Sequence, residues 1–289
     1  GPIDLNFSTE KYLDKAFQSS FEILMNKILL TRDLKKINNL QLKVIKSLIG
    51  SFKILEESYK QDFYEATFKI VYHENKIKNF LGKKNISFSN FENITAVFFP
   101  VLFINNEIQN FEENYFYREW TKVKIKNELI NFILPLEDLD DFDQIIKMKN
   151  KIEKLNIENL VNKYDVKNYA FTLMRYENKK LKIYIRTNFN NNITSKNISY
   201  EIKNIEDKLA LSIILKDLKL KITDLWKEEN LVNLLMPLVI TLKFQHLNLN
   251  DLQKARSVFG KIKIIDNYVL EEFNINNSFF KIYYYGNPK

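Results

Sequence analysis

The chain has 289 residues, 45% of them hydrophobic and 28% charged, which excludes a disordered polymer and supplies apolar side chains for two or three small cores. It contains no Cys, so disulfides, thiol catalysis and Cys-type zinc sites are excluded. The net charge of +8 comes from lysines dispersed along the chain rather than packed into a tract, so no nucleic-acid partner is expected.

Gly1-Pro2 is the pair a tag-removing protease leaves behind and is set apart from fold reasoning; a signal peptide is expected to have preceded Ile3. Tyr12, Leu13, Ala16, Phe17, Phe21, Leu24, Met25 and Ile28 recur at steps of three and four, predicting a helix over 9–30 with Ser8 or Thr9 as N-cap. A second helix is predicted over 34–49, stopped near Gly50. Strands at 51–57 and 63–72 follow, turning at Gln61-Asp62, with Tyr64, Ala66, Phe68 and Ile70 on one face. A short helix over 74–81 is expected to end on Gly82.

Residues 96–104 are almost continuously apolar, the mark of a strand buried on both faces. The stretch 112–123 reads as helical or irregular, and 129–134 as a strand stopped by Pro135. Asp138 is placed to cap a helix running to Met148, with Asp141 in its first turn. A helix over 157–164 leads to strands at 169–176 and 181–189, turning at Glu177-Asn178. Residues 188–195 read as a polar loop before a strand over 196–203. The chain closes with an amphipathic helix over 206–226, a strand over 238–244 opened by Pro237, a helix over 250–259 ended by Gly260, and strands at 261–270 and 278–285. The fold class is α+β. Two or three small units are expected, each with helices on one face of a largely antiparallel sheet, divided at 3–90, 91–204 and 205–289. No run of 18 or more apolar residues occurs, so no helix is expected to span a membrane.

Few constellations point to chemistry. His73 and His246 are the only histidines; neither has a ligand-spaced partner, and both read as surface or rim residues. Glu137, Asp138, Asp140, Asp141 and Asp143 form the densest acidic cluster. A calcium loop would need a ligand where Phe142 stands and a glycine after it. A glycosidase carboxylate pair would need a sugar cleft, and the remaining reading is an acidic helix N-terminus. No GxxxxGK, GxGxxG or GxSxG occurs. No catalytic residue, metal or cofactor is therefore assigned. Tyr115, Phe116, Tyr117 and Trp120 cluster beside Arg118 and Lys122. They form either an exposed aromatic-basic docking patch, with Tyr115, Tyr117, Arg118 and Trp120 as partner contacts, or a loop packed onto the core. In the docking case at least two rings should stand exposed; Trp120 is expected mostly buried, with Tyr115 and Tyr117 the exposed contacts. Lys and Asn are heavily used, as in AT-rich genomes, and much of both is read as carrying no functional message.

Several segments together resemble one family: "YEATFKIVY", "FFPVLF", the Trp120 element, "FILPLEDLDDFDQI", "LVNKYDVKNYAFTLM" and "FNINNSFFKIYYYGN". They are similar, over about Tyr12 to Asn287, to the proteobacterial domain-of-unknown-function family two-zero-six-six, whose pattern carries Gly where Glu137 stands here. The resemblance implies a signal peptide and a periplasmic place in the envelope, and it transfers no catalytic residue. The expected function is a non-enzymatic envelope adaptor or binding module for another envelope or inner-membrane protein. A periplasmic lipid or small-ligand binder is the alternative, and an enzyme of unrecognised type a further one.

Overall fold

The computed structural model describes residues 2–3, 7–90, 92–126, 128–232, 238–262 and 265–285. The positions expected at Gly1, Pro237 and Gly286-Asn287 lie outside them. In chain order the elements are α1 (Thr9–Ile28), α2 (Thr31–Leu34), α3 (Leu42–Leu48), β1 (Ile49–Lys60), β2 (Phe63–Tyr72), α4 (Glu74–Lys83), β3 (Phe88–Ser89), β4 (Ile94–Ile104), β5 (Glu107–Ile108), α5 (Tyr115–Glu119), β6 (Ile130–Ile133) and α6 (Leu139–Met148). Then follow α7 (Ile157–Val161), β7 (Tyr169–Glu177), β8 (Lys180–Phe189), β9 (Asn192–Glu201), α8 (Lys208–Glu229), β10 (Leu231–Val232), β11 (Leu238–Gln245), α9 (Leu249–Phe259), β12 (Ile265–Phe273) and β13 (Asn277–Tyr284). The fold is α+β, built on mostly antiparallel sheets. Among the described residues no helix is long and apolar enough to cross a membrane.

The chain divides into two compact units, Phe91–Glu229 and a discontinuous one made of Gly1–Asn90 with Asn230–Lys289. The boundary expected at 204/205 falls elsewhere, because α8 belongs to the middle unit. There β4 pairs with β6 and β7 in parallel and with β5 antiparallel, while β8 and β9 extend the sheet antiparallel beyond β7. The apolar run of β4 feeds two cores. Ala96, Phe98 and Leu102 cluster with Leu215, Leu218, Ile222 and Trp226 of α8. Val97, Phe99, Val101 and Phe103 cluster with Phe142 and Ile145 of α6 and Leu160 of α7. Helices thus cover both faces of this sheet, not one as expected, because alternate β4 side chains are apolar in both directions. Each such buried side chain contributes about 1.5–3 kcal/mol of transfer free energy.

In the discontinuous unit, Phe17, Phe21, Met25 and Ile28 of α1 pack with Ile45 and Leu48 of α3, Ile77 and Leu81 of α4, and Val232. The hairpin β1–β2 forms a two-stranded sheet of its own, joined at its turn by an isolated bridge from Pro2 to Phe63, and leaves Phe52, Ile54, Leu55 and Phe63 exposed. The three-stranded sheet has the order β11-β13-β12, with α9 against one face. Leu252 and Phe259 of α9 pack on Phe280 and Ile282 of β13.

Asparagine supplies most of the turn chemistry. The described residues with left-handed backbone are Asn39, Gln61, Asn85, Asn105, Asn106, Asp165, Asn178, Lys179, Asn190 and Asn191, and no described glycine takes that conformation. Asparagine tolerates this region because its short polar side chain bonds locally. Asn105-Asn106, Asn178-Lys179 and Asn190-Asn191 make two-residue hairpin turns with φ positive at both positions, the geometry that matches strand twist. The "polar loop" at 188–195 is therefore a tight β8–β9 hairpin. At Asn39 (φ 60°) the helix expected over 34–49 breaks. Gly82 does not end α4; Asn85 does. Asn85 N–H donates to the Gly82 carbonyl and Ile86 N–H to the Leu81 carbonyl, each at 3.0 Å, while Ile86 packs in the same cluster as Leu81.

Candidate functional site

Helix α5 divides the rings of the aromatic stretch between two cores. Asn114 is fully buried and caps α5, accepting hydrogen bonds from the Phe116 and Tyr117 amides, and its Nδ2 donates to the Pro100 carbonyl at 3.0 Å. That side chain ties the turn to β4. Phe116 and Trp120, four residues apart, face the α8 core, and Trp120 (1% exposed) stacks on Phe98 at 3.5 Å between centroids. Tyr117 goes the other way. It stacks on Phe111 at 4.4 Å, and its hydroxyl donates to the Pro135 carbonyl at 2.8 Å; burial pushes its pKa up. Tyr115 is half-buried, its hydroxyl donating to the Lys208 carbonyl at 3.3 Å, and only Arg118 is exposed. The expectation of at least two exposed rings is not met: the four rings are divided between two cores, as packing residues.

The acidic cluster is a helix N-terminus. Asp138 caps α6 by accepting from the Asp140 and Asp141 amides. Lys163 reaches Asp138 Oδ2 at 2.7 Å and Asp141 Oδ2 at 2.6 Å. The Lys163 hydrogen bond, helped by the Asp141 amide, lowers the Asp138 pKa; burial raises that of Asp141 against the same lysine. Burial works against the Lys163 charge, yet the two carboxylates hold its pKa up to about 12. Glu137 accepts from the Phe111 amide at 2.8 Å, and its backbone is not left-handed, so no glycine is required there.

A concavity lies in the 238–285 segment, where no site residue had been assigned. It is a groove of about 870 Å³ between α9 and the sheet end where β11 leaves and β12 turns into β13. Strand register places Phe244 beside Ser278 and Gln245 beside Asn277. Helix α9 is held at the rim by Asn248, whose Oδ1 accepts from the Asp251 amide at 3.0 Å, while Asp251 Oδ2 accepts from the Leu247 amide at 3.4 Å. The apolar walls are Phe244, Leu247, Ala255, Val258 and Phe259, and polar groups come from Gln245, His246, Asn276 and Asn277.

His246 is not a rim residue. It is 5% exposed, stacked against Phe273 at 5.5 Å and 8°, with Nε2 at 2.8 Å from Ser278 Oγ. Its Nδ1, like Asn277 Oδ1, is buried with no hydrogen-bond partner among the described residues. His73 is exposed, as expected. Around the groove stand large apolar side chains in solvent: Leu247 (92% exposed), Leu249, Val258 and Ile275. Ser278 is fully buried, so the histidine–serine contact offers no accessible nucleophile. The sequence signal for this site was the Leu247-Asn248-Leu249 step, two leucines flanking a helix cap where a polar loop would serve as well. Searches for likeness found no matching family model, no matching curated protein and no matching solved structure.

Proposed function

We propose that the protein is a non-catalytic binding module whose groove between α9 and the three-stranded sheet receives an apolar segment of a partner polypeptide. The observation that carries this is the pairing of an open, apolar-walled groove with exposed leucine, valine and isoleucine at its rim. Exposed apolar clusters beside a concavity mark recognition surfaces. The side-chain amides of Gln245, Asn276 and Asn277 on the groove lining match a peptide backbone, which offers both donors and acceptors. A lipid tail offers neither. The partner in this reading is an envelope or inner-membrane protein; the missing Cys and the family-like segments support a periplasmic setting.

Peptide-library selection against the whole chain tests the reading. Selected peptides should be rich in apolar residues, and Val258→Asp should abolish their binding without lowering the melting temperature, since Val258 is 52% exposed. Selection that yields no peptide, or peptides indifferent to Val258→Asp, retires the groove as a docking site. Co-purifying lipid, seen by native mass spectrometry and lost in Val258→Asp, would replace the partner polypeptide with a lipid. Recovery of the protein only with cytosolic markers on fractionation would remove the envelope setting.

A further inference from the structure

A second concavity lies in the Phe91–Glu229 unit, between the 120–128 loop, strand β6 and helix α8. It holds about 110 Å³ and is walled by Trp120, Lys124, Glu128, Asn131, Lys219 and Thr223. Against roughly 30 Å³ for a water molecule, that is room for a group of about four or five heavy atoms.

Its chemistry is set by Lys219. The residue sits on the buried side of α8 and is 6% exposed. Its ammonium donates to the Val123 carbonyl and lies 4.9 Å from the centre of the Trp120 ring. Among the described residues no carboxylate stands within ion-pair distance of it; the Glu128 carboxylate is instead 3.9 Å from the Lys124 amine at the rim. Burial is the larger influence on the Lys219 charge, with Glu128 favouring it and Lys124 opposing it, and the balance pushes its pKa down to about 8. The indole N–H of Trp120 is also buried, with no acceptor among the described residues. Leaving a buried ammonium and a buried N–H short of acceptors is costly. The walls carry positive charge in excess: the Lys219 and Lys124 ammonium groups and the indole N–H only donate, against one rim carboxylate, while Asn131 and the Thr121 and Thr223 hydroxyls can donate or accept. A water offers two acceptor lone pairs and brings two donors of its own. An oxyanion brings acceptors only, together with the negative charge that the ammonium lacks.

We propose that this cleft binds a small oxyanion, a carboxylate or phosphate group carried on a compact molecule, with Lys219 as its principal charge partner. The site is separate from the groove at 244–277 and stands or falls independently of it.

Isothermal titration of the whole chain with sodium acetate and with sodium phosphate, at constant ionic strength, tests the proposal. At least one anion should bind saturably with a dissociation constant at or below about 1 mM, and the anion that binds more tightly identifies the group. Lys219→Met, which keeps the stem packed and removes the charge, should abolish the response. Lys182→Met, an exposed lysine outside this cleft, should leave it unchanged. Glu128→Gln, which removes the opposing carboxylate from a part-exposed position, should tighten binding several-fold and does not depend on the Lys219 variant folding. No saturable binding by either anion, an undiminished response in Lys219→Met, or weaker binding in Glu128→Gln would overturn the proposal.

Discussion

In the middle unit, helices close both faces of the six-stranded sheet, and β4 and β7 present no exposed apolar side chain. In the 238–285 segment, α9 closes one face of three strands and leaves Val239, Ile240, Val269 and Leu270 in solvent. The first arrangement buries its apolar surface within itself; the second leaves some in solvent, where the proposed groove lies. If recognition belongs to that groove, stability and recognition sit in different sheets, and a substitution should report which one it touches.

The largest expected effect is in the closed layers. Trp120→Ala removes a ring stacked on Phe98 and should cost about 3–5 kcal/mol of folding stability, read as a deep fall in melting temperature. A change that left melting intact and weakened binding would return α5 to the recognition surface and break the contrast. Phe280→Ala, at the centre of a cluster with only three other buried members, should cost about 3 kcal/mol, the low end for such truncations. Hydrogen exchange should then show loosening confined to the discontinuous unit.

Alkali should sharpen the contrast next. Burial holds both Lys219 and Lys227 of α8 down to about 8, from an ordinary 10.5. Between those values the unfolded chain binds more protons than the folded one, so raising the pH through that window stabilises the fold. Melting temperature should climb from about pH 8 toward pH 10, and Lys219→Met should flatten part of the climb. Tyrosines with raised pKa, Tyr64 and Tyr200 among them, oppose the climb as the pH nears about 10, so the test is the difference between the chain and Lys219→Met; identical profiles below about pH 9 would mean that Lys219 is solvated.

A smaller effect is expected at the turns. Asn85→Ala should cost about 1 kcal/mol, the strain of a left-handed residue with a Cβ and no local polar bond, whereas Asn85→Gly should be neutral or better. The smallest belongs to the open hairpin: Phe52→Ser, on a half-exposed side chain, should stay within about 0.5 kcal/mol.

Elements with strong local signals were legible. The periodicity of α1, the double-sided run of β4, and Asp138 at the start of α6 all have causes within a few residues of themselves. The turns were half legible: Asn178 and the Asn105-Asn106 pair marked breaks, but Asn190-Asn191 was lost in a polar stretch, and Asn85 was outweighed by a nearby glycine. What failed was long-range. Nothing local tells α8 to cover β4, and the whole three-unit division depended on that contact. His246 suffered likewise, read as a surface or rim residue until tertiary packing buries it, and nothing local set Lys219 apart from the other lysines of α8. The groove was invisible because its walls come from a helix and a sheet end that meet only in three dimensions.

The discontinuity of the outer unit has a consequence for synthesis. A ribosome releases α1 to α4 early, yet Val232, which completes their apolar cluster, is made only after the whole of Phe91–Glu229 has emerged. At about 5–20 residues per second, that interval is roughly seven to thirty seconds. The middle unit, continuous in sequence, is free to finish first. During the same interval the nascent α1–α4 segment holds an incomplete core, which makes it the natural client of any holding chaperone that meets this chain.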